Sequence, residues 1–213
     1  MAKSRPRSVY QLRLHLRGVS PPVWRRVLVP SASTIAELHN VIQATMGWGD
    51  VHLHQFTIRG QIYGVPQLGA ANMFAGPPDL KLQAFEFRPH DRFEYEYDFY
   101  SNWVHDIRVE GVDSAVGSLP RCIGGVGACP PEDAGPPARF MELKAGHSVF
   151  RMVDWLKGEL ARNTPMDEIR EALAERLPWA NVWFGNNEEL RACYESWYPT
   201  MAAANEDPFK VAA

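Results

Sequence analysis

Cysteine is scarce in this sequence and long apolar runs are missing, and both absences narrow the class of protein. Three cysteines in 213 residues are too few for the disulfide framework of a small secreted domain. No run of about 18 apolar residues is present, so a membrane span is not expected. The basic residues 1–7 lead into no apolar segment of the kind found in signal peptides. We therefore expect a cytoplasmic protein without membrane contact, its cysteines being thiols or metal ligands.

Carboxylates are absent from residues 1–26, which hold seven of the 22 Lys and Arg residues. All 25 Asp and Glu residues lie in the remainder, so the net charge of −3 hides a basic end on an acidic body. An acidic body repels phosphate. Nucleic acid is therefore the less favoured partner, and another protein is the favoured one.

Alternation of apolar and polar residues predicts two β-hairpins. In the first strand, Tyr10, Leu12 and Leu14 share one face, while Gln11 and Arg13 share the other. The second hairpin has one aromatic face and one charged face. The predicted strands are 9–17, 24–29, 52–58, 62–63, 92–99 and 103–110.

One helix is predicted over Thr34–Met46. Thr34 and Glu37 have the spacing of a capping box, and Gly47 follows where a C-terminal glycine belongs. Apolar residues of helical period predict two later helices, at 149–160 and from Thr164-Pro165 onwards.

The order of these elements predicts an α+β fold. We expect a mixed or antiparallel sheet of two hairpins, with the first helix packed across it and C-terminal helices following. The hairpin–helix start is β-grasp-like, an analogy that carries no function. Residues 1–178 are predicted to form one domain. The aromatic-rich residues 179–213 are predicted to be an extension that packs on it or is partly flexible.

Residues 121–135 combine two cysteines, four glycines and two prolines. This density of glycine and proline predicts a loop, and long loops in compact domains are often functional. The rigid step Cys129-Pro130-Pro131 suggests a loop of fixed shape. Glu132 and Asp133 are candidate binding residues, or residues that hold the loop by accepting hydrogen bonds from backbone amides.

The two loop cysteines could bind zinc together with histidines from the strands, because thiolates and imidazoles suit tetrahedral zinc. The candidate ligands are Cys122, Cys129, His52, His54 and His105. His52 and His54 share one face of a predicted strand, a spacing that suits two ligands and equally suits packed sheet histidines. Cys129 could instead be a reactive thiol with His105 as its base. Packing alone could also hold the loop.

Trp24-Arg25-Arg26 places an aromatic ring beside two cations, a pattern typical of nucleic-acid binding. The alternative that we favour puts Trp24 in the core and pairs both arginines with carboxylates of the second hairpin. The candidate carboxylates are Glu94, Glu96 and Asp98.

Several short motifs in combination resemble one protein family. They are Val9-Tyr10-Gln11-Leu12, Pro21-Pro22-Val23-Trp24-Arg25-Arg26, Ala36-Glu37-Leu38-His39, Met46-Gly47-Trp48, His52-Leu53-His54-Gln55-Phe56, Tyr95-Glu96-Tyr97-Asp98-Phe99, Trp103-Val104-His105 and Ala128-Cys129-Pro130-Pro131-Glu132-Asp133. Over roughly residues 8–160 the chain is similar to the pRiA-type plasmid Orf-three-like family, also labelled insertion-element passenger TnpR proteins. The resemblance implies a soluble bacterial α+β domain, often carried on mobile elements, with no established enzymatic activity. A cysteine that commonly follows the Glu-Asp pair in this family is Ala134 here.

We therefore predict a non-enzymatic cytoplasmic module that binds another protein in a mobile-element setting. A metal- or thiol-dependent enzyme that uses the Cys122–Gly135 loop is the first alternative. A DNA-binding accessory protein that uses the basic N-terminal hairpin is the second.

Overall fold

The computed structural model of the protein describes residues 8–64, 79–114 and 117–184. Within these ranges it contains seven strands and four α-helices, and the α+β prediction is confirmed. The strands are β1 (Ser8–Leu16), β2 (Val23–Pro30), β3 (His54–Ile58), β4 (Gln61–Gly64), β5 (Arg92–Tyr97), β6 (Trp103–Ser114) and β7 (Arg121–Val126). The helices are α1 (Ile35–Met46), α2 (Pro137–Gly146), α3 (Val149–Ala161) and α4 (Met166–Phe184), with a 3₁₀ turn at Leu82–Phe85.

The strands form one sheet in the order β4-β3-β5-β6-β1-β2-β7. Every pairing between neighbouring strands is antiparallel, which decides between the two predicted kinds of sheet. The comparison with a β-grasp stays a prediction, since it depends only on the order β1, β2, α1.

Alternation along β1 determines which of its side chains are buried. Tyr10, Leu12 and Leu14 are at most 4% exposed, while Gln11 and Arg13 are half-buried. Because successive side chains in a strand point to opposite faces, one face of the sheet becomes the core. The predicted apolar face of β1 is confirmed.

Helix α1 begins with the predicted capping box. The Glu37 N–H donates to Thr34 Oγ1 at 3.1 Å, and the Thr34 N–H donates to Glu37 Oε2 at 2.8 Å. Gly47 ends the helix in the left-handed conformation, with φ 73°. Leu38 and Ile42 are fully buried and pack into the core formed with the sheet.

The prediction that residues 121–135 form a loop is wrong for their first six positions. Residues 121–126 form β7, an edge strand paired with β2. The pairing needs glycine at position 125, because a Cβ there would lie 2.8 Å from Arg25 Cδ and 3.0 Å from the Trp24 carbonyl oxygen. Glycine therefore lets β7 approach β2 closely. The sequence analysis had taken the same glycines only as a sign of a loop.

The helical part of the chain differs from the prediction in two ways. Helix α2 was not predicted from the apolar pattern, whereas α3 was. Helix α4 extends to Phe184, past the boundary predicted after residue 178. Most of the predicted extension 179–213 lies outside the described residues.

Candidate functional site

The predicted site residues divide between two faces of the sheet. On one face, which we call the covered face, apolar side chains pack against α1, Trp48 and Phe140 of α2. On the opposite face, which we call the open face, the side chains of the described strands are mainly polar and are half-buried or exposed.

Four residues at the junction of α1 and the covered face form a closed ring of hydrogen bonds. The Asp50 N–H donates to Gln43 Oε1 at 3.2 Å. The other end of the Gln43 amide, Nε2, donates to the Tyr95 hydroxyl at 2.8 Å. Tyr95 then donates to His39 Nδ1 at 2.8 Å, and His39 donates from Nε2 to Asp50 Oδ1 at 2.9 Å. Because a carboxylate can only accept, the bond to Asp50 places the proton of the neutral His39 ring on Nε2, and Nδ1 accepts from Tyr95.

Glu132, from the loop after β7, holds the turn that carries Asp50. It accepts hydrogen bonds from the Gly49 N–H at 2.7 Å and from the Val51 N–H at 3.4 Å. The Tyr97 hydroxyl also donates to Glu132, and burial and this carboxylate raise the pKa of Tyr97. Asp50 has φ 57°, a left-handed conformation that Asp adopts more readily than most residues.

His54, at the start of β3, stacks on His39. Their ring centroids are 3.5 Å apart and their planes differ by 7°. Burial lowers the pKa of each ring to about 4, so both are neutral at neutral pH. His52 lies nearby, with Nε2 3.7 Å from Asp133 Oδ1 and Nδ1 4.0 Å from Asp98 Oδ1.

Among the described residues, no three of the five predicted zinc ligands come together as a possible metal-binding group. Cys122 is buried in β7, its thiol donates to the Gly124 carbonyl at 3.4 Å, and burial raises its pKa. His105 is fully buried, with its ring centroid 5.5 Å from the rings of both Trp48 and Tyr95. A protonated, buried Cys122 thiol is poorly suited to nucleophilic attack.

In the described parts of the chain, one set of three possible ligands has its atoms within 4.8 Å of one another. It consists of His39, Asp50 and His54. The sequence analysis named only His54 from this set. The sequence did contain a signal for this set: His39 lies with Leu38 and Ile42 on the apolar face of α1. A histidine buried on such a face needs a polar partner.

Arg25 was predicted to pair with carboxylates of the second hairpin, and this is wrong. It is 1% exposed, and its guanidinium donates to the carbonyls of Thr45, Trp24, Val126 and Gly127 at 2.8–3.2 Å. Cys129 Sγ lies 3.0 Å from Nη2. Within the ranges that the structure describes, no carboxylate forms an ion pair with Arg25.

Trp24 was predicted to belong to the core, and this is also wrong. It lies half-buried on the open face, with the guanidinium carbons of Arg13 and Arg26 at 4.5 Å and 5.4 Å from its ring centroid. Arg26 pairs with Glu110 at 2.5 Å rather than with β5. Because β6 and β1 separate β5 from β2, the carboxylates of β5 are about 14 Å away.

Four arginines form a row across the open face, which we call the arginine row. Cross-strand register places Arg92 opposite Arg108, Arg108 opposite Arg13, and Arg13 opposite Arg26. Arg26 has its carboxylate partner, but the other three have none within ion-pair distance in the described part of the chain. Three of the four, all but Arg26, line a surface groove of about 660 Å³, whose other charged lining residues are Arg59, Glu94 and Asp106.

These features define an α+β domain with a seven-stranded antiparallel sheet, and comparison with known proteins gives its family. Residues 8–163 match the family described as Plasmid pRiA4b ORF-3-like protein, and the chain belongs to it. Uncharacterized protein y4hQ of Sinorhizobium fredii (strain NBRC 101917 / NGR234) is 38% identical over 141 residues, covering 64% of this chain and 71% of that protein.

A crystal structure shows a related fold. The protein of unknown function MM3350 from Methanosarcina mazei Go1 superposes with a TM-score of 0.60 and 30% sequence identity, covering 68% of this chain and 84% of that chain. Among the described helices of the present chain, none has the length and apolar character to cross a membrane.

Proposed function

We propose that this protein is a non-enzymatic binding module whose open face docks against an acidic surface of a partner protein. The arginine row carries the proposal. Arg92 and Arg108 are exposed and Arg13 is half-buried, and in the described part of the chain none of the three forms an ion pair with a carboxylate. Guanidinium groups bind carboxylates in a bidentate manner, so such a row is complementary to acidic side chains.

Trp24 supports an interface on this face. Its half-buried ring lies near Arg13 and Arg26, and Trp and Arg are the residue types that contribute most energy to protein interfaces. A partner that covers the ring would bury apolar surface at the end of the row. The face thus combines an apolar contact with directional charged contacts.

The open face favours a protein over a nucleic acid because its charge is mixed. Glu94 and Asp106 lie in register on β5 and β6, and both pair with Arg17. A continuous phosphate backbone crossing the sheet would pass these carboxylates, whereas a protein surface can present cations to them and carboxylates to the arginine row. The acidic character of the chain beyond residue 26 adds to this repulsion.

The proposed setting is the bacterial cytoplasm, in association with a mobile element. The family's plasmid designation supports the association. The scarcity of cysteine supports a reducing compartment.

The test compares two labelled probes of equal charge, a poly-glutamate peptide and a single-stranded oligothymidine, by fluorescence anisotropy. We expect the peptide to bind more tightly, and the double variant Arg92→Glu/Arg108→Glu to lose most of that binding. The matched control is Arg139→Glu, an exposed arginine on α2 away from the open face. It should bind the peptide like wild type.

Three outcomes would overturn the proposal. The first is tighter binding of oligothymidine with a steep salt dependence, which would favour the DNA-binding alternative. The second is equal loss of peptide binding in Arg139→Glu. The third is the absence of peptide binding by wild type.

A further inference from the structure

We infer that His39, Asp50 and His54 form a binding site for one divalent transition-metal ion. The three side chains come from different elements: α1, the connection after it, and the start of β3. Their ligand atoms lie within 4.8 Å of one another. The inference concerns a different face from the arginine row and does not depend on the proposed binding function.

The chemistry of the set suits a first-row divalent metal. Two imidazoles with one carboxylate can bind zinc or iron(II) and leave coordination positions open to solvent. A tetrahedral zinc ion with ligands at about 2.0–2.1 Å needs its ligand atoms about 3.3 Å apart. The His39 and His54 rings are stacked 3.5 Å apart and nearly parallel, so their in-plane lone pairs meet at one ion only after His54 turns out of the stack. Asp50 is exposed and His54 is half-buried, which leaves both side chains free to rotate towards the buried His39.

The surroundings hold the ligands as a metal site requires. The Tyr95 hydroxyl forms a hydrogen bond with His39 Nδ1, the ring nitrogen that faces away from Asp50, and this bond fixes the orientation of the ring. Gln43 and Glu132 bind the backbone of the turn that carries Asp50. Polar groups that orient ligands in this way usually raise metal affinity about 10–100-fold.

The local charge also favours a cation. The Glu132 carboxylate accepts hydrogen bonds from the N–H groups of Gly49 and Val51, on either side of Asp50, and so places a second negative charge beside the set. In the described residues, no Lys or Arg forms an ion pair with Asp50, whose carboxylate accepts a hydrogen bond from the neutral His39 ring.

Metal binding requires one change of tautomer. His39 now carries its proton on Nε2, the nitrogen that faces Asp50. When the metal occupies Nε2, the ring proton moves to Nδ1 and the Tyr95 oxygen accepts it. Tyr95 keeps its own hydroxyl proton, and His39 stays neutral throughout.

The experiment titrates the full-length, chelator-treated protein with cobalt(II) and zinc(II) and follows binding by calorimetry and by the cobalt absorption spectrum. We expect one ion per chain, with a cobalt spectrum typical of nitrogen and oxygen ligands. Asp50→Asn and His54→Ala should each weaken binding at least about 100-fold, since each removes a direct ligand. Asn tolerates the left-handed conformation of residue 50, so Asp50→Asn should keep the fold.

The matched control is His52→Ala, which removes a neighbouring histidine outside the set. It should bind metal like wild type, and circular dichroism should show that all three variants are folded. Nitrogen-15 NMR of wild type should show the Nε2–H to Nδ1–H change at His39 on addition of zinc. This readout needs no variant.

Four results would overturn the inference. They are the absence of saturable binding by wild type, undiminished binding by folded Asp50→Asn, an unchanged His39 tautomer at saturation, and a sulfur-to-cobalt charge-transfer band. The last would assign the metal to one or more of the three cysteines instead.

Discussion

Arg25 is a cation enclosed by carbonyl oxygens, and its burial follows from the parity of β2. It alternates with Val23 and Val27, which are buried, so the strand pattern alone places it on the covered face. Its partners could not be predicted, because they are backbone carbonyls of α1 and of the chain at the end of β7. The sequence analysis chose carboxylate partners because of their charge, but these carboxylates do not lie on the covered face beside Arg25.

We expect Arg25→Met to destabilise the protein by about 3 kcal/mol or more, because it leaves several buried carbonyls without a donor. Arg25→Lys should also destabilise it, since one ammonium group cannot reach all the carbonyls of the fork. Urea unfolding measures both. Arg139→Met, at an exposed site, should stay within about 0.5 kcal/mol. Equal stability of wild type and Arg25→Met would show that these contacts contribute nothing net.

We expect position 125 to tolerate no side chain larger than that of glycine, not even the methyl group of alanine. Gly125→Ala should cost about 1–3 kcal/mol, because its Cβ would crowd Arg25 Cδ and the Trp24 carbonyl oxygen. Gly146→Ala is the control, because an added Cβ there has no atom within 4 Å. Thermal unfolding of the two variants should separate them, and a stable Gly125→Ala would mean that β7 can move away from β2.

Elements with a strong local signal could be predicted, and β7 could not. Helix α1 has a capping box, an apolar stripe and a terminal glycine, all of which act within a dozen residues. Strand β7 depends on pairing with β2, about 100 residues earlier, and its glycines serve that contact rather than a turn. A local pattern cannot report a distant partner.

Removal of a core side chain from α1 tests the placement of this helix. We expect Leu38→Ala to destabilise the protein by about 2–5 kcal/mol, because Leu38 is fully buried between the helix and the sheet. Phe150→Ala on α3 is the control, since Phe150 is 83% exposed and should change stability by about 0.5 kcal/mol or less. Urea unfolding measures both. An unchanged stability of Leu38→Ala would contradict the packing of α1 described here.

At the scale of the whole molecule, the motifs that carry the family resemblance meet on the covered face. His39 comes from one motif, Trp48 from the next, His54 from a third and Glu132 from the last. Trp48 joins two of these segments, because its Nε1 donates to the Pro130 carbonyl at 2.9 Å and its ring stacks on Tyr97. The sequence could identify these motifs, but the contacts between them depend on the sheet order.

The buried histidine of β6 gives the whole fold a predicted dependence on pH. Burial lowers the pKa of His105 to about 3, against 6.5 in an unfolded chain; His15 lowers it further and Asp106 opposes the shift. Because the folded pKa lies below the unfolded one, the unfolded state binds more protons between these values. The contribution of neutral His105 to the free energy of unfolding is therefore complete above pH 6.5 and is lost as the pH falls towards 3.

We expect His105→Phe to reduce this loss, since phenylalanine keeps a ring against Trp48 and Tyr95 and removes the titrating group. Urea unfolding of wild type and variant at a series of pH values, in chelator, measures the two slopes. The two slopes are compared above pH 4.5, the ordinary pKa of Glu110. In more acidic solution the protonation of Glu110 and Asp98, whose pKa values are lowered in the folded protein, also reduces stability. Parallel slopes for wild type and His105→Phe in that range would show that His105 does not titrate on unfolding, and would contradict its burial as a neutral ring.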